Sequence, residues 1–218
     1  MLRKYQLPCL LLLFSSLAFS QAPDHPVVTF TLDFPGSQPE HYSIRMQSDG
    51  AAHYESSGKL SPDSDETDSF NLDFIASAET RQKIFELAAK AGYFQKDVDS
   101  HHKNIAFTGK KILSYKDEKR SGQCTYNYSS QPAVQELTGL FQNLSSTLEF
   151  GHRLHYDHRY QKLALDEELK RMEEMARTSP PVEMTAIAPI LQEIVGDSTV
   201  LNVSRARAQR LLERSGVQ

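Results

Sequence analysis

Apolar and polar side chains alternate one for one near the start of the mature chain: Val28, Phe30, Leu32 and Phe34 against Thr29, Thr31 and Asp33. A period of two is that of a strand with one buried face. Pro35-Gly36 ends it. Tyr42, Ile44 and Met46 then alternate with His41, Ser43, Arg45 and Gln47, and Ser48-Asp49-Gly50 is a turn signal. A three-residue loop with Gly50 left-handed sets Tyr54 opposite Ile44 on the apolar face, whereas a two-residue loop would set it opposite Arg45. A third strand is therefore expected from about 51 to 57. A polar loop covers 58–69, and Phe70, Leu72 and Phe74 alternate with Asn71 and Asp73 in a short fourth strand.

The period then changes. Ser77 is a good N-cap, and Ile84, Leu87, Ala88 and Ala91 follow at helical spacing up to Gly92. A second hairpin is expected next. Ile105, Phe107, Leu113 and Tyr115 share one parity around Gly109, 116–122 is turn-like, and Cys124, Tyr126 and Tyr128 share a face on the returning strand. From Pro132 to about Arg177 the pattern is helical without a strong stop. Val134, Leu137, Phe141, Leu144 and Leu148 form one stripe, and Leu165, Leu169, Met172 and Ala176 form a second. A continuous helix of roughly 46 residues would be about 70 Å long and outrun a small domain, so a break is expected at Gly151. Pro180-Pro181 stops it. A short helix at 187–195 and a last basic helix from Ser204 complete the chain.

Every convincing strand is apolar on one side only, the mark of an antiparallel sheet with a wet face. The pattern predicts an α+β fold: an antiparallel sheet of five to six strands, with helices 77–91 and 132–150 on its apolar face. A helical C-terminal extension, 151–218, follows the 21–150 sheet domain.

Residues 1–20 follow the plan of a secretory signal peptide. Arg3 and Lys4 precede an apolar core from Cys9 to Phe19, and Ala18 and Ser20 supply small residues at −3 and −1. The apolar run falls short of the roughly 20 residues a spanning helix needs, so no stable membrane insertion is expected after cleavage. The expected location is periplasmic or extracellular. Removal leaves 22 basic against 28 acidic side chains, a net charge of −6. That balance disfavours a nucleic-acid partner. Cys124 would then be the one remaining thiol, so no intramolecular disulfide can form. Its place among sheet residues reads as packing.

The segment Tyr42-x-Ile44-x-Met46-x-x-Asp49-Gly50-x-x-x-Tyr54, followed by the 77–91 helix ending in Gly92-Tyr93-Phe94 and by a second hairpin, resembles an uncharacterised α+β domain of bacterial exported proteins. The resemblance spans roughly residues 27–150 and implies no activity, ligand or catalytic residue.

Candidate chemistry is sparse. His152, His155 and His158 form a His-x-x-His-x-x-His run. Helix neighbours three apart lie side by side and can share a metal, whereas a ligand six residues on is rotated round the helix. Asp63, Asp65, Glu66 and Asp68 crowd one loop but lack the glycine and final glutamate of a calcium loop. No nucleophile elbow, phosphate loop or His-Glu-x-x-His motif occurs, and no cofactor is expected. The favoured expectation is a non-enzymatic binding or interaction scaffold. In it, Leu165, Leu169, Met172 and Ala176 meet a protein partner or a second copy of the chain. The alternative is a metal-dependent enzyme or metal-binding protein using His152, His155 and His158.

Overall fold

The structure is a computed structural model and describes residues 25–59 and 67–215. The segment expected to be a signal peptide and most of the acidic loop, including Asp63, Asp65 and Glu66, lie outside the described residues. Six strands form one antiparallel open sheet: β1 (Val27–Asp33), β2 (His41–Gln47), β3 (Ala51–Lys59), β4 (Thr67–Ile75), β5 (Lys110–Lys116) and β6 (Ser121–Tyr126). Their spatial order is β4-β3-β2-β1-β5-β6. Among the described residues five α-helices accompany them: α1 (Ala78–Lys90), α2 (Pro132–Tyr160), α3 (Leu165–Thr178), α4 (Met184–Gly196) and α5 (Asn202–Ser215).

The register follows from the alternation. Tyr54 faces Ile44, Ile44 faces Phe30, Phe30 faces Leu113, and Leu113 faces Cys124. All of these side chains are buried, forming one row across the inner face of the sheet. Gly50 closes the β2–β3 turn with φ of +102°, the conformation that makes glycine the fitting residue there. Both α1 and α2 lie on the inner face, where Phe141 of α2 stacks on Phe30 at 5.2 Å between ring centres. Burying such aromatic pairs supplies much of a core's hydrophobic stabilisation.

Three expectations are corrected. Ile105 and Phe107 are outside any strand and exposed. The reason is local: β1 pairs with β5 only as far as Asp33 opposite Lys110, so residues 105–108 have no strand to join. Asn127 holds them as a loop instead, accepting from the Thr108 amide and donating to the Ala106 carbonyl.

The second correction concerns Gly151. It does not break the helix; α2 runs through it to Tyr160, a span of 29 residues and about 43 Å. A β-carbon at 151 would lie 2.4 Å from Ile187 Cγ2, so glycine here permits close approach of α4. The boundary expected at 150/151 thus falls inside one helix.

Thirdly, residues 151–218 do not extend away from the sheet domain. Gln161 ends α2, the chain reverses, and α3 packs back on α2 while α5 packs on α3 and α4. Leu165, Leu169 and Met172 are fully buried within the same apolar cluster as Phe30 and Ile44. Ala176 is half-buried beside them. The stripe expected to meet a partner is covered by the chain's own helices.

Candidate functional site

Glu149 stands where two depressions among the described residues meet. The apolar stripe of α2 turns Leu144 and Leu148 into the core, which carries Ser145 and Glu149 to its margin, above the edge of β3. There Tyr54, buried on the inner face of the sheet, donates its hydroxyl to Glu149 Oε1 at 2.6 Å, and Ser56 donates to the same oxygen at 2.7 Å. Ser145 Oγ lies 2.9 Å from the Tyr54 hydroxyl. Burial first, and then the Glu149 charge, push the Tyr54 phenol far above its ordinary value, so it remains a donor.

Two cavities meet at this carboxylate. One, of about 410 Å³, lies between β3, the start of β4, Pro39 and the second half of α2; Phe70, His152, Tyr156 and Asp157 line it. The other, of about 640 Å³, lies between the 37–39 loop, α2 and α3. Glu149, Arg153, Gln38 and Pro39 border both, so the two cavities adjoin along these residues and together are called the groove.

The basic side chains bordering the groove already have acidic partners. His152 Nε2 lies 2.7 Å from Asp68 Oδ2, and its ring stacks on Phe70 at 4.3 Å and 14°. Arg153 Nε donates to Glu168 at 2.5 Å, and Arg171 donates to the other oxygen of Glu168 at 3.0 Å. Asp157 is held above its ordinary value, first by burial and then by the Glu168 charge, with Arg153 opposing. Among the described side chains no cation pairs with Glu149.

The three histidines are not brought together on one ion. His152 turns to β4, while His158 bonds Asp197 at 3.0 Å, beside Lys162 at 2.6 Å from the same carboxylate oxygen. His155, between them, is exposed. Neighbours three apart on a helix are separated by about 60° of rotation and those six apart by about 120°, which aims the outer two at different elements. Among the described residues no group of three or more His, Cys, Asp or Glu side chains is arranged to hold a metal ion. Asp197 instead is pulled far below its ordinary value, chiefly by Lys162 and Thr199. Burial pushes the Cys124 thiol up to about 11, the inert state of a packed cysteine.

The sequence reading named His152 but missed Tyr54, Ser56, Glu149 and Asp157 as groove residues. Glu149 carried a weak signal, since an acid one residue after Leu148 sits at the border of the apolar stripe. Its hydroxyl partners are more than ninety residues away, beyond the reach of any local pattern. Among the described residues no helix is long and apolar enough to cross a membrane. No family model matches the chain, and no curated protein matches it.

Proposed function

We propose that this protein is an exported binding scaffold whose ligand occupies the groove over Glu149. The observation that carries the reading is the way the lining groups are committed. The hydroxyls of Tyr54 and Ser56 fix one carboxylate oxygen, Asp68 and Phe70 fix the His152 ring, and Glu168 holds Arg153. Groups held this way present a rigid surface of set shape and charge. A serine awaiting activation would instead need its hydroxyl on a base such as imidazole, and Ser56 spends its hydroxyl on Glu149. Pre-formed concave sites with a few fixed polar groups among apolar walls are the usual form of small-ligand sites. The leader-like segment at 1–20 supports export.

A panel of small aromatic and aliphatic compounds of mixed charge, titrated into isotope-labelled protein, tests the reading. Amide shifts should concentrate at 56–58, 68–70 and 149–157. Shifts scattered over the surface, or none at millimolar ligand, would remove the groove from consideration.

A further inference from the structure

The groove's charge and its aromatic wall together select among ligands. The described side chains that line its smaller cavity include three carboxylates, Asp68, Glu149 and Asp157, against His152 and Arg153. Asp68 is opposed by His152. Arg153 is opposed by Glu168, which also draws Arg171. Of the two carboxylates left without a bonded basic partner among these side chains, Glu149 and Asp157, Glu149 is the one that borders both cavities. Its two close partners are neutral hydroxyls, which orient it without cancelling its charge. Asp157, further along α2, adds a second acid on the same wall. Burial and the repulsion of Glu168 act against the charge of Asp157, with Arg153 opposing them.

A second, independent feature lies at the mouth. Tyr156 lines the cavity and is 44% exposed, and its neighbour Tyr160 is 64% exposed, with the two ring centres 5.2 Å apart. Leu163 follows at 80% exposure. Tyr156 and Tyr160 form an exposed aromatic pair of which Tyr156 reaches the cavity. An aromatic ring and a part-buried carboxylate lining one cavity are a pairing that holds amines and guanidiniums, through charge-assisted hydrogen bonds on one side and cation–π attraction on the other.

We infer that the groove takes an organic cation, an amine or guanidinium on an apolar or aromatic stem, with Glu149 as its counter-charge and Tyr156 against its stem. This rests on the binding reading above and narrows it to one ligand class. The same chemistry comes from two sources, a free amine or a basic side chain of another polypeptide, and both fit a cavity of about 410 Å³.

The test compares benzylamine with benzyl alcohol and benzoate, three probes of similar shape and different charge, by calorimetry and amide-shift mapping on the full chain. Benzylamine should bind in the groove about tenfold or more tightly than the alcohol, the scale of a charge-assisted contact, and benzoate should bind least. Glu149→Gln keeps an acceptor for Tyr54 and Ser56 and should abolish the preference for the amine over the alcohol. Tyr156→Ala, at an exposed position that the core does not need, should weaken all three probes together. Equal binding of amine and alcohol overturns the cation class while leaving the groove as a binding site. Failure of all three probes to bind in the groove overturns both. A further arm uses acetyl-arginine amide: binding tighter than benzylamine assigns a polypeptide side chain as the source, and weaker binding assigns a free amine. Either order supports the class.

Discussion

Gly151 shows how one missing methyl sets the spacing of two helices. In an exposed helix interior, glycine is about 1 kcal/mol worse than alanine, so Gly151→Ala ought to stabilise α2 if only the helix mattered. Ile187 of α4 reverses the sign. Its Cγ2 would stand 2.4 Å and its Cβ 3.1 Å from the new methyl, and a β-branched side chain has little room to turn away. Overpacking of this kind costs about 1–3 kcal/mol. We therefore expect Gly151→Ala to lower unfolding free energy by about 1 kcal/mol in urea titration. In an Ile187→Ala background, already weakened by its own cavity, the same change should become stabilising. An effect of the same sign in both backgrounds would show that Ile187 is not the obstacle.

At the scale of elements, the start of α1 shows what a local pattern reveals and what it hides. Ser77 was legible as an N-cap from sequence alone, and its side chain does accept the Thr80 amide at 3.2 Å. Hidden from any local pattern was Glu183, 106 residues away and buried, whose carboxylate accepts the Ser77 amide and the Ser77 hydroxyl. A negative charge at a helix N-terminus also meets the positive end of the helix dipole. The side chain gets there because Glu183 caps the N-terminus of α4 in a left-handed conformation, φ +58°. We expect Glu183→Ala to cost about 1–3 kcal/mol in chemical denaturation, as when a buried hydrogen-bonded charge is removed. Ser77→Ala should cost about 1 kcal/mol, the usual value of a cap. The double variant should cost less than the two added, because both changes delete the same Ser77–Glu183 bond. Strict additivity would mean the two residues act separately. Strands were readable in the same way as Ser77: the alternation in 28–34 and 42–54 states which side is buried, and the Gly50 turn states the register. The 105–107 segment misled because parity says nothing about whether a partner strand reaches that far.

Across the whole molecule, helical periodicity marked the apolar stripe of α3 and left open what it covers. The stripe at Leu165, Leu169 and Met172 reads the same whether it meets another protein or its own chain. Only the reversal after Tyr160 decides, and it brings α3 onto α2. The consequence is a core shared by both halves: Phe141, Leu148 and Leu154 of α2 belong to one cluster with Leu169, Ile187, Leu191 and Leu211. Burying each side chain of that size contributes about 1.5–3 kcal/mol, and net stability of a domain is about 5–15 kcal/mol, so losing a handful of them outweighs the whole margin. Arg153 of α2 pairs with Glu168 of α3 across the two halves, and further polar groups tie the last helices together and to α2. Glu173 of α3 receives Arg207 and Arg210 of α5, and Lys162 and His158 meet Asp197 at the end of α4. A chain cut after residue 160 should therefore not yield a smaller folded domain. We expect a fragment of residues 21–160 to bind hydrophobic dye, lose near-ultraviolet dichroism and elute as aggregate. The chain of residues 21–218 should unfold in one transition that coincides by fluorescence and dichroism. A sharp melt and full near-ultraviolet signal from the fragment would mean that the sheet and the last three helices are separate folding units, and that the shared apolar cluster is a contact between them.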